Sequence, residues 1–320
     1  MSLEPKCNLI IDSCSDLPYE MVDEEIARGG VELIEYPFIM SDGEHKDDLF
    51  KSMTAHEFYE GMRNGETPTT AQVPVTVYED VFRRAFESGV PTVFLGFTSG
   101  LSGSHDTAMM VYSQLKQEYP NGELYMVDTL QASIAEGFLV YMAFEQRNRG
   151  LTAKELADWA SEALYFVNDE FMVEDLNALH RGGRIPASVA YAGTKLDVKP
   201  MLHISLDGGL SVIGLARGRN KGIRQIKDYI LQTMPENPED RVVYIGNADC
   251  PKDAERLRSE IEKEDSSVRF IESSIGPVIG SHVGPGMVAA VCWGPDRRET
   301  LSVSNRIARS VKGQDKGSGK

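Results

Sequence analysis

The sequence predicts an α/β protein of two domains, and three observations support this class. The chain has 320 residues, and at roughly 100–200 residues per domain this length corresponds to two. Across residues 1–150, apolar segments of strand length alternate with helical segments, the order that builds a parallel sheet. In the second half, strand-like segments follow one another and a hairpin turn at 207–209 joins two of them. This favours a mixed or antiparallel sheet with helices on one side.

The first half begins with a short apolar strand at 8–11, which runs into the polar turn at 12–16. A longer apolar run at 31–40 predicts a second strand. Thr-x-x-Glu capping boxes, in which the threonine and glutamate side chains satisfy free backbone N–H groups, predict helices that start at Thr54, Thr76 and Thr152. Two more strands are predicted at 92–97 and 124–127, and two more helices at 104–117 and 131–148.

The second half supplies six strand candidates, at 171–173, 201–204, 210–215, 242–246, 268–271 and 287–293. The helix after Thr152 is amphipathic, since Leu156, Trp159, Ala163 and Val167 repeat at helical spacing. We therefore expect domains at 1–150 and 151–311. The segment 312–320 contains mainly Gly, Ser and Lys and is predicted to be a disordered tail.

The charge excludes several classes of function. The chain carries 33 Lys and Arg against 49 Asp and Glu, a formal net charge of −16, which disfavours nucleic acid and anionic membranes as general partners. No apolar run approaches the roughly 20 residues of a membrane span, and no secretory signal is visible, so we expect a cytoplasmic protein without stable membrane insertion. None of the four cysteines forms a C-x-x-C pair, and neither a metal site nor a cofactor is predicted.

Two hydroxyl-rich segments are candidates for a binding site. Residues 96–104 lead from a strand through three glycines and several hydroxyls, Ser99 and Ser102 among them, into a helix whose N-terminus favours an anion. The alternative is an ordinary serine-capped helix after a glycine turn. Thr69 and Thr70 lie in a loop bounded by prolines, where hydroxyls can donate to a carboxylate without carrying charge, or where the loop merely enters the next helix.

Three further segments carry basic or titratable groups. Arg184 follows Gly182-Gly183, a turn that could present a guanidinium to a carboxylate or phosphate, or only an exposed basic turn. Arg217 opens a run of four cations within eight residues, either a docking patch or the solvated start of a helix. His282 lies in a segment rich in Gly and Pro, which predicts a loop histidine able to donate to an oxyanion or move a proton.

In this order, the segments resemble the DegV family over about residues 8–295. The resemblance rests on these stretches: Asp12-Ser13, Thr70-Ala71-Gln72, Thr98-Ser99-Gly100-Leu101-Ser102-Gly103-Ser104, Gly182-Gly183-Arg184-Ile185, Lys199-Pro200, Arg217, and His282 in His-Val-Gly-Pro-Gly. It implies a fold shared with the dihydroxyacetone kinase substrate-binding subunit, in which a Rossmann-like three-layer α/β/α domain with a parallel sheet precedes a two-layer α/β domain.

The resemblance also implies a function. DegV proteins look like carriers that hold a long-chain fatty acid in an interior tunnel and present its carboxylate to an ATP-dependent fatty acid kinase, which makes an acyl phosphate for phospholipid synthesis. Thr70 and Ser99, with Thr69 and Ser102 close behind, would bind the carboxylate together with His282. Arg184, Arg217 and His282 would lie near the carboxylate or face the kinase. Ala71 stands where the family usually has Ser, which leaves the division of roles between Thr69 and Thr70 open.

Two other functions compete with this one. The stretch at 100–104 narrowly misses the G-x-S-x-G nucleophile elbow, so a serine hydrolase could use Ser99 or Ser102 with His282. The last glycine of the elbow is replaced by Ser104, and no orienting carboxylate is evident. A protein that senses lipid passively, without phosphorylation, is the other alternative.

Overall fold

The computed structural model describes residues 5–190 and 198–300, so the predicted tail at 312–320 lies outside the described residues. The strands are β1 (Asn8–Asp12), β2 (Val31–Ile34), β3 (Pro37–Met40), β4 (Gly43–Lys46), β5 (Thr69–Thr70), β6 (Thr92–Gly96), β7 (Leu124–Asp128), β8 (Val167–Met172), β9 (Val198–Ile204), β10 (Leu210–Arg217), β11 (Val242–Asn247), β12 (Arg269–Ser274) and β13 (Val288–Trp293). The helices are α1 (Tyr19–Arg28), α2 (Ala55–Arg63), α3 (Val75–Ser88), α4 (Ser104–Glu118), α5 (Ile134–Asn148), α6 (Ala153–Ala163), α7 (Asn177–Arg181), α8 (Ala187–Ala190), α9 (Arg219–Thr233), α10 (Pro251–Glu264) and α11 (Pro277–Val283).

Two sheets dominate the fold and confirm the predicted α/β class. The first is fully parallel with strand order β2-β1-β6-β7. The second has the order β10-β9-β8-β13-β11-β12 and is antiparallel except for the pair β11 and β12. A small antiparallel sheet, β4-β3-β5, adds a third unit. The hairpin predicted at 207–209 joins β9 and β10.

The six-stranded sheet is apolar on both faces, because its side chains alternate between two cores. Phe171 and Val291 face the larger core shared with the first half of the chain, whereas Met172 and Val243 face a second core under α9 and α10. Helix α5 contacts β8, β11 and β13, and α6 contacts β6 and β7. The division near residue 150 falls between these two helices and stays a prediction.

Some local expectations were wrong for identifiable reasons. The run at 31–40 forms two strands, β2 and β3, which belong to different sheets. Both Thr54 and Thr152 form the predicted capping boxes, but Thr76 lies inside α3, which starts at Val75 directly after Pro74. Proline fixes φ near the helical value and has no N–H to donate, so it suits a helix start without a side-chain cap.

Candidate functional site

A cavity of about 310 Å³ lies between the two halves of the chain. Its floor is the face of β8, β9 and β13 that carries Phe171, Ile204 and Ala289. The loop after β6, the start of α5 and the helices α7 and α11 supply much of the remaining lining. Most lining side chains are apolar, and the polar ones are Tyr36, Thr70, Gln72, Ser102, Ser133, Asp169, Arg184 and His282. A concave, mainly apolar space with a few polar groups is typical of a small-molecule site.

Thr70 brings a hydroxyl to the cavity wall. It lies on β5, where it pairs with Phe38 of β3, and its Oγ1 lies 2.8 Å from Nε2 of His282. Successive side chains of a strand point to opposite faces, so Thr69 points away from Thr70. Thr69 is exposed and is not part of the cavity wall.

His282 belongs to the short helix α11, not to the loop that the Gly- and Pro-rich sequence predicted. Burial, followed by the nearby guanidinium groups of Arg184 and Arg181, lowers the pKa of His282 to about 4. The ring is therefore neutral at pH 7 and acts as a hydrogen-bonding group there. Its Nδ1 has no hydrogen-bond partner among the described residues.

Gly182 makes room for this ring. A Cβ built at Gly182 would lie 2.1 Å from Nδ1 of His282, far inside van der Waals contact. The turn continues through Gly183, whose φ of +73° suits glycine, and Arg184 then reaches back to donate to the carbonyl of Gly182. The Gly-Gly-Arg sequence thus places both Arg184 and the imidazole on the cavity wall.

The loop after β6 places its serines differently. Thr98 is buried, and its Oγ1 donates to the carbonyl of Gly208 at 3.0 Å, which fixes the loop to the β9–β10 hairpin. Ser102 lines the cavity, with its Oγ 3.1 Å from Oγ of Ser104. Ser99 is exposed, is not part of the wall, and donates its N–H to Asp128 Oδ1.

Arg217 lies apart from the cavity wall, exposed at the end of edge strand β10. Lys221 and Arg224 of the same basic run are also exposed, whereas Arg219 forms ion pairs with Glu174 and Asp253. The structure therefore brings together Thr70, Ser102, Arg184 and His282, and leaves Thr69, Ser99 and Arg217 on the surface.

The buried carboxyl group of Asp16 and the hydroxyl of Tyr59 hold the start of α11 in place. Oδ1 of Asp16 accepts from the N–H of Gly276 at 2.9 Å, and its Oδ2 accepts from Ser133 Oγ at 2.5 Å. The hydroxyl of Tyr59 donates to the carbonyl of Ile275 at 2.7 Å. Burial raises the pKa of Asp16 to about 7. These contacts connect the first half of the chain to the helix that carries His282.

Sequence reasoning missed several residues of the site, among them Gly182 and Asp169; Tyr36 and Ser133 also line the cavity. Gly182 was noted only as part of a turn, because its close approach to His282 joins positions 100 residues apart. Asp169 lies on β8 and lines the cavity, but the strand was predicted to start only at 171 because Asn168, Asp169 and Glu170 are polar. The signal available in the sequence for this part of the site was a run of three polar residues directly before the apolar strand segment.

The arrangement offers hydrogen bonds to an anion rather than a catalytic triad. The hydrogen bond of His282 goes to Thr70, and none joins it to Ser99 or Ser102 among the described residues. In the same part of the chain, no group of three or more His, Cys, Asp or Glu side chains could hold a metal ion. No described helix is long and apolar enough to cross a membrane.

Comparison with known proteins gives a consistent family. Residues 6–294 match a family model described as "Uncharacterised protein, DegV family". A DegV domain-containing protein of Clostridium perfringens is 31% identical over 287 residues, 89% of this chain and 97% of the relative. A fatty-acid-binding DegV family protein from Thermus thermophilus has a TM-score of 0.78 at 26% identity, covering 91% of this chain and 100% of that one.

The fold is also that of the Streptococcus pneumoniae fatty acid kinase (Fak) B3 protein, whose structure holds linoleic acid. Its TM-score is 0.76 at 16% identity, covering 91% of this chain and 100% of the other. Because the family model spans most of the sequence and the clostridial relative covers nearly all of it, the chain belongs to the DegV family.

Proposed function

We propose that this protein binds a long-chain fatty acid in the cavity, with the carboxylate at Thr70, Ser102, Arg184 and His282. The observation that carries the proposal is a mainly apolar cavity whose wall includes the hydroxyls of Thr70 and Ser102, the neutral imidazole of His282 and the guanidinium of Arg184. Hydroxyl and imidazole groups can donate to a carboxylate, and the guanidinium adds charge and two parallel donors. The apolar lining removes the acyl chain from water.

The family supports this proposal. The Thermus thermophilus relative is described as a fatty-acid-binding protein, and the Streptococcus pneumoniae protein of the same fold is loaded with linoleic acid. No further cofactor is part of the proposal, since the fatty acid is itself the ligand.

We also propose that the protein acts in the cytoplasm and presents the carboxylate to a separate ATP-dependent fatty acid kinase, without catalysing the reaction itself. The exposed Arg217 is suited to such a partner, because Leu215 on the same face of β10 is 50% exposed beside it. An apolar side chain next to a cation fits the mixed character of protein interfaces. A passive lipid-sensing protein would have the same cavity, so the kinase reaction separates the two roles.

Binding is tested on protein freed of lipid. Mass spectrometry of an organic-solvent extract should first show a stoichiometric long-chain acid, and calorimetry should show uptake of palmitate or oleate by the delipidated protein. Thr70→Ala should weaken that uptake, and Thr69→Ala, which changes the exposed neighbour, is the matched control. The proposal fails if there is neither a bound acid nor uptake.

The kinase step needs a second assay. With a fatty acid kinase subunit, ATP and bound oleate, acyl phosphate should form only when this protein is present. Oleate binding without any acyl phosphate would support the passive role instead. Labelling of Ser99 or Ser102 by a fluorophosphonate probe would favour the hydrolase.

A further inference from the structure

One carboxyl group lies in the otherwise apolar floor of the cavity. Asp169 is 5% exposed and shares the inner face of β8 with Val167 and Phe171. It lines the cavity together with Ile204 and Ala289. Burying a charged group in such a place costs free energy unless hydrogen bonds compensate for the lost water.

A hydrogen bond compensates the burial of one carboxylate oxygen of Asp169 but not of the other. Oδ2 of Asp169 accepts from the N–H of Ile204 at 3.0 Å, whereas Oδ1 has no partner among the described residues. The titratable groups that act on the carboxyl are Arg297 and His203, and burial lowers the pKa of His203. The guanidinium of Arg297 donates to the carbonyls of Val167 and Ile204. One buried acceptor atom of Asp169 is left unsatisfied.

This acceptor lies away from the proposed carboxylate site. The helix α11, which carries His282, leads into β13, where Ala289 pairs with Phe171 and Val291 pairs with Asp169. Asp169 is therefore two residues, about 7 Å, farther along the strand from α11 than Phe171 is. The acyl chain of an acid held at Thr70 and His282 would have to pass over this floor.

We propose that the acid bound here carries a hydroxyl group in the middle or distal part of its acyl chain, and that this hydroxyl donates a hydrogen bond to Oδ1 of Asp169. The inference rests on the proposed function and narrows its substrate class. The reason is the unsatisfied Oδ1 atom of Asp169 on an apolar wall. A plain hydrocarbon chain packed against this atom would exclude water from it and would offer it no hydrogen-bond donor.

The unpaired acceptor should make the cavity discriminate between plain and hydroxylated fatty acids. Leaving a buried acceptor unpaired costs its full desolvation penalty, which exceeds the mean net value of a hydrogen bond, so a plain acid is penalised and a hydroxy acid is not. Sites built to bind a substrate hydroxyl reject analogues that lack it more strongly than apolar pockets reject a change of size. A hydroxy acid with the correct spacing should therefore bind at least about tenfold more tightly than the plain acid, since tenfold needs only about 1.4 kcal/mol.

The experiment compares ligands on one delipidated protein. Calorimetry at pH 8 is run with octadecanoic acid, with octadecanoic acids hydroxylated at successive carbons from the middle to the end, and with the keto analogue of the best one. Burial raises the pKa of Asp169, so an alkaline buffer favours the ionised carboxylate over the protonated acid. At least one hydroxy acid should be preferred about tenfold, and its keto analogue, which offers no donor, should not be.

Variants assign the preference to a residue. Asp169→Leu should abolish it while plain octadecanoic acid still binds, and Asp169→Asn, which keeps the size of the side chain, should reduce the preference for hydroxyl over keto. Glu170→Gln is the matched control, because Glu170 points to the opposite face of β8 and accepts from Gln225 at 2.8 Å.

Binding of plain and hydroxylated acids with equal affinity, or a preference unchanged in both Asp169 variants, overturns the inference and leaves the proposed function intact. No binding of any acid refutes the proposed function itself.

Discussion

Adding one methyl group at Gly182 should disable the candidate carboxylate site from outside the cavity. The Cβ of Gly182→Ala would lie 2.1 Å from Nδ1 of His282, 2.9 Å from its Cε1 and 3.3 Å from the carbonyl oxygen of Ala178. Ordinary contacts of this kind begin near 3.4 Å, so the imidazole must move by about 1.3 Å. The 2.8 Å hydrogen bond between Thr70 Oγ1 and His282 Nε2 can lengthen by only about 0.7 Å before it is lost.

Two measurable effects follow from this displacement. Overpacking should lower the free energy of unfolding by about 1–3 kcal/mol. Loss of the correctly placed imidazole should weaken oleate binding by about 1–3 kcal/mol, or about fivefold to 150-fold. Calorimetric titration measures the binding, urea unfolding measures the stability, and the ring proton resonances of His282 report the movement directly.

Gly61→Ala is the matched control, because the new Cβ in α2 would be 3.8 Å from its nearest neighbour, the Cβ of Glu66. This variant should bind oleate like the unmodified protein. If Gly182→Ala also binds oleate normally and leaves the resonances of His282 in place, then the imidazole does not hold the carboxylate in the manner derived above.

Three other predictions concern the cavity and the surface. Ser102→Ala should weaken oleate binding by about 1 kcal/mol or more, and Ser99→Ala should weaken it less because only Ser102 lines the cavity; titration of both variants checks the order. His282 has a pKa of about 4 when folded and 6.5 when free, so the unfolded chain binds the proton first and stability is lost as the pH falls from 6.5 towards 4. Asp12 and Asp16 change the stability in the opposite direction over the same range, so the readout is the difference from His282→Gln. Between pH 7 and pH 5, urea unfolding of the unmodified protein should lose about 2 kcal/mol relative to that variant. Arg217→Ala should leave oleate affinity unchanged and slow acyl phosphate formation with the kinase; a normal rate would remove Arg217 from the docking surface.

The fold was largely predictable because its signals are local. Alternating apolar segments and the turn at 207–209 report hydrophobic periodicity and backbone preference, which act over a few residues. The errors occurred where tertiary structure overrides propensity. The start of β8 is polar because Asn168 donates to the carbonyls of Phe166 and Pro295, while Glu170 accepts from Gln225, so burial of these groups is compensated by distant partners.

The site was predictable only in its parts. Residue types and their order pointed to Thr70, Ser102, Arg184 and His282. No local sequence pattern, however, indicates that Thr70 lies 2.8 Å from a histidine 212 positions later. Which of Thr69 and Thr70 faces the cavity depends on the register of β5 against β3, and this register is set by a strand pair only two residues long. A shift of one residue would exchange the two side chains.

The formal charge of −16 overstates the negative charge that a fatty-acid carboxylate would meet. It counts every carboxyl as ionised, yet burial raises the pKa of both Asp12 and Asp16 to about 7 and raises those of Asp47 and Glu136 well above their usual range. These groups hold more protons in the folded protein than in the unfolded chain, so the stability they contribute is present in acid and is lost as the pH rises through 7. An anionic ligand near Ser133 therefore has behind that hydroxyl a carboxyl group, Asp16, that is partly neutral at pH 7. An acidic protein can in this way hold an anion with one guanidinium, since Asp16 behind Ser133 need not repel it at full charge and Asp169 lies farther along the cavity floor.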